Sequence, residues 1–439
     1  MRPSKGLSPL LLVAVVFTLV LAACASGTTT TTTAAPGTTA APTTAAPGTT
    51  AAPGTTAAPT TAAPTTAPAE PLVFGMILVG PQNDRGWSQA NYEGGQYVEK
   101  KLGAKMITLD KVNPADRPGT SVEQVVDDMI EQGAKLIIAT SDDMKDGIEA
   151  AAKAHPDVPM IWTSGDSAWK DGKAFAGIDN LGNIMGRMIY GKMIGGCAAG
   201  LTTQTGSIAY LGPLANDETR RLTDSAYLGA KYCWENYRGK AASDLKYEVS
   251  WIGFWFNIPG VTADPTVVTN SFFDGGADVV ISGIDTSEAL VVAGQRADSG
   301  ETVWAVPYDF EGACEQKPDI CLGVPYFNWG PAYLQVAQSV QNGTFKAEWQ
   351  WNGPDWSNIN NPDTSAIGFA EGPGLSAENK AQLDTFIAGL ADGSINLWKG
   401  PLNFQDGTPF LADGEVATDS QIWYMPQLLE GMKGASTSS

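Results

Sequence analysis

The sequence predicts an α/β protein built from two doubly wound parallel-sheet lobes joined by a hinge. From Pro71 onward, strand-like apolar runs alternate with amphipathic helix-like segments, which is typical of parallel sheets covered on both faces. The alternation is interrupted by a long helix-like run, Asn183 to Leu201, and then starts again. Without its N-terminal leader and low-complexity segment the 439-residue chain keeps roughly 360 residues, more than one ordinary core holds.

The first lobe is predicted from five runs rich in aliphatic and β-branched residues. These runs cover residues 72–80, 105–110, 135–141, 158–165 and 173–179. We assign residues 71–182 and about 324–350 to this lobe.

The second lobe is predicted from the repeated pattern. Its strand-like runs cover residues 206–212, 247–256, 277–285, 302–310 and 320–327, and later elements are a helix at 329–345, a helix at 376–392, short strands at 396–404 and a closing segment at 422–432. We assign about 183–323 and 351–434 to it. Two such lobes bind ligands in the cleft at the carboxyl ends of their strands.

The N-terminus has the features of an export signal. Arg2 and Lys5 precede an apolar run, Leu10 to Ala23, that is too short for a comfortable membrane span. It ends in Leu-Ala-Ala-Cys, which resembles the bacterial lipobox and predicts lipidation of Cys24; the alternative is an ordinary secretory signal with an incidental Cys. Either interpretation places the mature protein outside the cytoplasm.

Residues 25–70 form a Thr, Ala, Pro and Gly segment without Leu, Ile, Val or aromatic side chains. Such a segment cannot bury a core, so we expect a disordered stalk. A stalk would let a globular domain work at a distance from the membrane while it stays attached. A surface-layer protein would use the same device, so the stalk does not decide the function.

The composition excludes some partners. The formal net charge is −20, and it becomes −22 when residues 1–24, with two basic residues and no acid, are removed. This charge repels nucleic acid and anionic lipid headgroups. The single histidine, His155, precedes a Pro-bearing turn at a predicted helix end, so a surface position is favoured over a catalytic one.

Four cysteines remain if Cys24 carries lipid. An even number in an exported protein predicts two disulfides. Cys314 and Cys321 bracket a short loop and are the favoured pair, which leaves Cys197 with Cys233. Three pairings are possible in principle, and spacing only favours this one. No CxxC motif or Cys/His cluster indicates a metal site.

Six passages of the folded part are distinctive: VGPQNDRGWSQANYEGG (79–95), SWIGFWFNIPGVTADP (250–265), FFDGGADVV (272–280), VWAVPYDFEGA (303–313), PYFNWGPAY (325–333) and GPLNFQDG (400–407). Together they resemble the Basic Membrane Protein family of ABC-transporter substrate-binding lipoproteins. Their order and spacing carry the resemblance, which extends from about Leu72 to Gly434. It implies a type I periplasmic-binding-protein fold, a purine nucleoside or purine base as ligand, an ABC permease as partner and no cofactor.

The resemblance assigns two aromatic side chains to the ligand. Trp87 occupies the family's aromatic position after the first strand, and Trp255 matches its second stacking aromatic, with Phe256 as the weaker neighbour. A flat purine favours aromatic faces, so one indole from each lobe would couple binding to closure. The alternative for any of the thirteen tryptophans is core packing.

The polar candidates lie at predicted strand ends and in the loops that follow them. They are Asp84 and Ser88 in the first loop, Asp142, Asp143 and Asp146 in the third, Asp285 and Asp309 at two strand ends, and Asn328. Asp146 aligns best by spacing within its cluster. Helix capping or turn formation is the alternative for Asp84, Asp146 and Asp309. Tyr190 and Asn91 depart from the family pattern, so ligand identity stays open at this point.

Three functions remain to be weighed. The first is a monomeric solute receptor of an ABC importer, with a sugar or another solute as the alternative to a purine. The second is a nucleoside hydrolase that uses Asp285 and Asp309, since carboxylate pairs support such chemistry. The third is a ligand sensor with the same fold. No compelling catalytic set is present, so we predict that the protein is not an enzyme.

Overall fold

The computed structural model describes residues 70–437, so Cys24 and the predicted stalk lie outside the described part. In chain order the strands are β1 Val73–Ile77, β2 Lys105–Leu109, β3 Ile137–Ala139, β4 Met160–Thr163, β5 Leu181–Gly186, β6 Ser207–Gly212, β7 Lys246–Trp251, β8 Val279–Ser282, β9 Trp304–Val306, β10 Gly323–Phe327, β11 Trp349–Asn352, β12 Ile367–Glu371, β13 Leu402–Asn403, β14 Pro409–Leu411 and β15 Met432–Lys433. The helices are α1 Trp87–Leu102, α2 Val122–Glu131, α3 Lys145–Ala154, α4 Ile189–Thr202, α5 Asp217–Asn236, α6 Pro265–Asp274, α7 Glu288–Asp298, α8 Gly330–Gln341, α9 Ala377–Asp392 and α10 Asp419–Trp423.

A six-stranded parallel sheet organises the first part of the molecule. Its strand order is β11-β5-β4-β3-β1-β2. Every residue of β3, β4 and β5 is buried, as expected for central strands covered by helices on both faces. We call this sheet, together with α1, α2, α3 and α8, the first lobe.

A five-stranded parallel sheet organises the second part, with the order β15-β7-β6-β8-β9. We call this sheet, together with α4 to α7 and α9, the second lobe. β10 and β12 form an antiparallel pair beside it. The chain passes between the lobes at residues 187–188, 328–329 and 353–366. The fold is therefore two doubly wound α/β lobes, as predicted, and the chain crosses between them three times within residues 70–437.

The strand predicted at residues 173–179 is wrong. Those residues form no strand, and β5 lies instead at Leu181–Gly186, where its last four residues overlap the start of the predicted helix. The predicted run includes Phe175, which is 48% exposed, and Gly177 in a left-handed conformation, so it lacks a buried face. The helix begins only at Ile189.

The strand predicted at residues 247–256 is too long. β7 ends at Trp251, and Gly253 has φ of 102°, a left-handed conformation that glycine adopts without strain. The chain turns there, and residues 252–256 form a loop at the carboxyl end of β7. This turn places Trp255 in a loop and not on a strand face.

Glycines allow α4 and α5 to pack with their backbones nearly in contact. A Cβ added at Gly196 would lie 1.9 Å from the carbonyl oxygen of Ala226, so no larger residue fits there. The same pair of helices is joined by a disulfide between Cys197 and Cys233, and a second disulfide joins Cys314 to Cys321. Both pairs are those that the sequence favoured. None of the helices within residues 70–437 is long and apolar enough to cross a membrane.

Candidate functional site

A pocket lies between the two lobes at the carboxyl ends of their strands. About 380 Å³ of empty space is found there, part of it open to solvent. The lining residues from the first lobe are Trp87, Ser141, Asp142 and Ser164, and those from the second are Glu218, Thr219, Leu222, Trp255, Gly283, Asp285 and Tyr308. This position is the one that the doubly wound topology predicts for a ligand.

Trp87 is fixed within the first lobe. It is the first residue of α1, and its indole Nε1–H donates to the carbonyl oxygen of Thr140 at 2.6 Å. Its ring meets the rings of Phe327 and Trp329 edge to face, with centroids 5.3 Å apart in both cases. The indole is therefore held by core packing as well as facing the pocket, and its contact with a ligand stays a prediction.

Trp255 reaches across the cleft. Its Nε1–H donates to Oδ2 of Asp143 in the first lobe, at 3.1 Å. The backbone of the same residue accepts from the amide of Asp285, at 2.9 Å, so the Trp255 loop and the end of β8 are held together. Phe256 does not line the pocket and packs edge to face on Phe254.

Three carboxylates line the pocket: Asp285 is buried and Glu218 partly buried, whereas Asp142 keeps a solvent-exposed part although most of its surroundings are protein. Burial and the neighbouring carboxylate of Asp309 raise the pKa of Asp285 well above its usual range. Burial, together with the adjacent Asp143, raises the pKa of Asp142 to about 6. Burial raises the pKa of Glu218 to about 7, although Arg221, with Nη2 at 3.6 Å from Glu218 Oε2, acts in the opposite direction. Such carboxylates favour an occupant that donates hydrogen bonds.

Asp309 is placed behind the pocket and does not line it, which corrects the sequence prediction. It is fully buried with φ of 71°, and neither carboxylate oxygen has a hydrogen-bond partner within the described chain. The preceding residue, Tyr308, faces the pocket instead. Lys192 lies 3.1 Å from the Tyr308 ring centroid and donates to the carbonyl oxygen of Ser282 at 2.7 Å. Asp309 and Lys192 therefore support Tyr308 from inside the lobe.

Asp84 and Ser88 organise the start of α1. The Asp84 carboxylate accepts from the amides of Gly86, Ser88 and Gln89, each at 2.9 Å, and Ser88 Oγ accepts from the amide of Gly80 at 2.9 Å. Neither residue lines the pocket. Helix capping, the alternative considered for Asp84, explains its contacts, and burial raises its pKa to about 6.

Asp146 and Asn328 also lie outside the pocket. The Asp146 side chain is fully exposed, with its carboxylate 3.6 Å from Lys145 Nζ, because the turn of α3 points it to solvent. Asn328 donates to the carbonyl oxygens of Pro362 and Ser365, so it ties two crossovers together. Within the acidic cluster it is Asp142 that faces the pocket.

Sequence reasoning missed five polar lining residues, Ser141, Ser164, Thr219, Tyr308 and Glu218. Ser164 follows β4 with φ of 86°, and its buried hydroxyl has no partner within residues 70–437. The position of Ser164 and Tyr308 at the end of a strand is the sequence feature that could have identified them as lining residues. Glu218 and Thr219 lie in the first turn of α5, and no motif marks them.

Two departures from the family pattern have structural roles. Asn91 is buried, donates to the carbonyl oxygen of Trp87 at 2.9 Å and accepts from the hydroxyl of Tyr333 at 2.5 Å. Tyr190 packs edge to face on Trp356. His155 pairs with Asp127 at the end of α3, away from the pocket. Within the described residues, no group of three or more His, Cys, Asp or Glu could hold a metal ion.

Comparisons with known proteins agree with this architecture. The family model described as ABC transporter substrate-binding protein PnrA-like matches residues 72–352. A purine-binding protein of Brucella abortus is 26% identical over 83% of this chain and 93% of its own. A putative ABC transporter glucose-binding protein of Haloferax volcanii is 23% identical over 74% of this chain and 73% of its own.

Solved structures share the fold. A solute-binding protein of an ABC transporter system from Aeropyrum pernix superposes with a TM-score of 0.58 at 13% identity, over 76% of this chain and 93% of its own. A solute-binding protein of an ABC transporter system from Conexibacter woesei superposes with a TM-score of 0.53 at 16% identity, over 74% of this chain and 98% of its own. The chain is thus a substrate-binding protein and not an enzyme, and it belongs to the Bmp family of PnrA-like ABC transporter substrate-binding proteins.

Proposed function

We propose that this protein binds a purine nucleoside or purine base and passes it to an ABC permease. The observation that carries the proposal is that two tryptophans, one from each lobe, line the same interlobe pocket. Indole faces suit a flat, polarisable ring better than they suit most other solutes. The carboxylates of Asp285, Asp142 and Glu218 would accept hydrogen bonds from the ligand's amino or hydroxyl groups.

A sugar is the second candidate, because one relative is named as a glucose-binding protein. Aromatic platforms with carboxylates also suit a sugar ring, whose hydroxyl groups are donors. The two candidates differ in how much the second indole contributes. A purine can use both faces of its ring for aromatic contacts, whereas a sugar donates in its plane and stacks mainly through its apolar side.

Attachment to the membrane completes the proposal. Family members are extracytoplasmic solute-binding proteins, and Cys24, preceded by small residues and an apolar run, would carry the lipid. The Thr, Ala and Pro segment would then separate the lobes from the bilayer. A receptor that reports the ligand to a membrane sensor would use the same features, and direct coupling to a permease is the function we propose.

The test is mass spectrometry of small molecules released by denaturing the purified protein, followed by calorimetry. A stoichiometric purine, and purine nucleosides that bind when glucose does not, are the expected results. A released sugar, with no heat from purines, would overturn the purine assignment. Trp255→Ala and Trp87→Ala should each weaken purine binding by tenfold or more, since base stacking contributes roughly 1–3 kcal/mol.

A matched control separates ligand contact from general loss of a large side chain. Trp304 lies on β9, is half-buried and does not line the pocket. Trp304→Ala should keep wild-type affinity. An equal loss of affinity in Trp304→Ala and Trp255→Ala would show that the pocket tryptophans do not act by contact.

A further inference from the structure

The C-terminal segment that includes α10 contacts both lobes. Its end, β15, pairs with β7, so the segment belongs to the second lobe's sheet. Residues 419–424 nevertheless contact the first lobe, beside the crossover at residues 187–188. We call residues 419–424 the C-terminal clasp. Within residues 70–437 the lobes are therefore joined by the clasp, without a covalent bond, as well as by three crossovers.

On the second-lobe side, the clasp is held by α5. Arg221 donates through Nη1 to the carbonyl oxygen of Trp423 at 3.2 Å, and its guanidinium lies 4.3 Å from the centre of the Trp423 ring. Arg220 donates through Nε to the carbonyl oxygen of Met425 at 2.7 Å. Both arginines are buried, and hydrogen bonds from a charged donor are stronger than those between neutral groups. The clasp is therefore fixed to the second lobe.

On the first-lobe side, the clasp packs on aromatic rings. Trp423 meets Trp349 and Trp351 of β11 edge to face, with centroids 5.0 Å and 5.2 Å away. The Tyr424 ring lies parallel to Trp169, with centroids 5.7 Å apart. Edge-to-face and offset parallel rings attract one another beyond the effect of apolar burial. The clasp and the first lobe therefore share a packed interface.

Polar contacts fix the position of the clasp on the first lobe. The Tyr424 hydroxyl donates to Oδ2 of Asp166 at 2.5 Å and accepts from the amide of Lys173 at 2.6 Å. At the crossover, Arg187 donates to Asp419 through both terminal nitrogens, at 2.8 Å and 2.5 Å. A bidentate pair of this kind sets orientation as well as distance.

We propose that the C-terminal clasp is a permanent link, which stays bound to the first lobe in the solute-free protein and limits how far the cleft opens. Two bodies joined both at their crossovers and at the clasp have few directions left in which to rotate. The cavity beside the clasp shares three lining residues with the ligand pocket, and Trp255 does not line it. The lobes would therefore separate mainly on the Trp255 side. The contacts of the clasp involve no solute, so the proposal does not depend on which solute is carried.

Hydrogen exchange of the solute-free protein, resolved to single amides, tests whether the clasp stays bound. Tyr424→Phe keeps the ring and removes the oxygen that accepts from the amide of Lys173. This amide should exchange about tenfold or more slowly in the wild type than in Tyr424→Phe, because its hydrogen bond must open first. Equal exchange rates in the two proteins would show that the clasp is released when no solute is bound, and the proposal would be wrong.

Small-angle scattering of the solute-free protein tests whether the clasp limits opening. Tyr424→Ala removes the stacked ring and the hydroxyl, so the radius of gyration should rise above that of the wild type. Tyr237→Ala is the matched control, since Tyr237 is also a half-buried tyrosine at a helix end but packs on Tyr232 within the second lobe. It should keep the wild-type radius. An unchanged radius in a folded Tyr424→Ala would overturn the proposal, and the exchange measurement decides it if that variant does not fold.

Discussion

The two faces of the ligand pocket are built differently. On the first-lobe face, the Trp87 indole is anchored to the carbonyl oxygen of Thr140 in the same lobe and packs on Trp329 at a crossover, and only its contact with Phe327 of β10 involves the second part of the molecule. On the second-lobe face, the side-chain hydrogen bond of Trp255 goes to Asp143 of the opposite lobe. One aromatic wall is therefore preformed, and the other is completed only when the lobes meet.

This difference explains how binding can report itself to a partner. A solute that contacts Trp87 first meets a surface already in place and loses little conformational entropy there. Contact with Trp255 then requires closure, which brings the lobes into the arrangement recorded here. Hinge closure of this kind converts occupancy into a shape that a permease can recognise.

The second-lobe face also holds Glu218, whose pKa is raised by burial, and Glu218→Gln should give the largest effect on stability. The pKa of Glu218 is about 7 when folded and ordinarily 4.5, so folding favours its protonated form. Its stabilising contribution is complete below pH 4.5 and is lost as the pH rises to 7. Glu218→Gln should remove this loss, and at pH 7.5 the variant should be more stable by roughly 3 kcal/mol.

Urea unfolding of the ligand-free protein across this pH range measures the effect. Glu235→Gln, on the same helix but outside the pocket, serves as the control. The raised pKa values of Asp84 and Asp142 also lower the stability as the pH rises from 3.8 to 6. The effect of Glu218 is therefore taken from the difference in unfolding free energy between variant and wild type. Parallel pH curves for wild type and Glu218→Gln would show that Glu218 is hydrated in the free protein.

Gly86 tests whether the two faces must meet. A Cβ added there would lie 1.6 Å from the carbonyl oxygen of Asp285 in the other lobe, a contact with backbone that cannot move aside locally. Gly86→Ala should therefore hinder closure while each lobe stays folded. Overpacking costs about 1–3 kcal/mol, so the solute affinity should fall by roughly 5-fold to 150-fold.

Calorimetry and small-angle scattering with saturating solute would measure this effect. Gly353→Ala is the control, because its added Cβ has only the Arg187 side chain nearby, at 3.9 Å. Wild-type affinity and a fully closed shape in Gly86→Ala would contradict the close approach of Gly86 to Asp285.

The hydrogen bond between Trp255 and Asp143 should contribute less. Trp255→Phe keeps an aromatic face and removes the N–H donor, and Asp143→Ala removes the acceptor. A double-mutant cycle on solute affinity should give a coupling energy of about 1 kcal/mol. Because the bond crosses the cleft, the coupling should appear in binding and be small in urea unfolding of the free protein. A coupling near zero in binding would mean that the bond does not form in solution.

The sequence predicted the fold better than it predicted the site. Alternating apolar runs indicate parallel strands whatever ligand a protein binds, so both sheets were predicted. The exception is residues 173–179, which have a strand-like composition but no buried face. Trp87 and Trp255 were assigned by the resemblance to the family and Asp285 by its position at a strand end, and all three line the pocket. Glu218 was missed because a helix N-terminus faces the cleft only through tertiary packing.

The direction of a side chain within a short turn is what the sequence could not supply, and Asp146 shows it most clearly. Three acids follow β3, and alignment by spacing selected Asp146, yet one turn of helix places its carboxylate in solvent and leaves Asp142 facing the pocket. Asp146→Asn should change solute affinity less than about twofold, since its fully exposed charge lies outside the pocket and is screened by water. Asp142→Asn, measured beside it by calorimetry, should weaken binding several-fold, because it removes a charged acceptor from the pocket wall. If Asp146→Asn weakened binding more than Asp142→Asn did, the loop after β3 would have to change conformation when the solute binds.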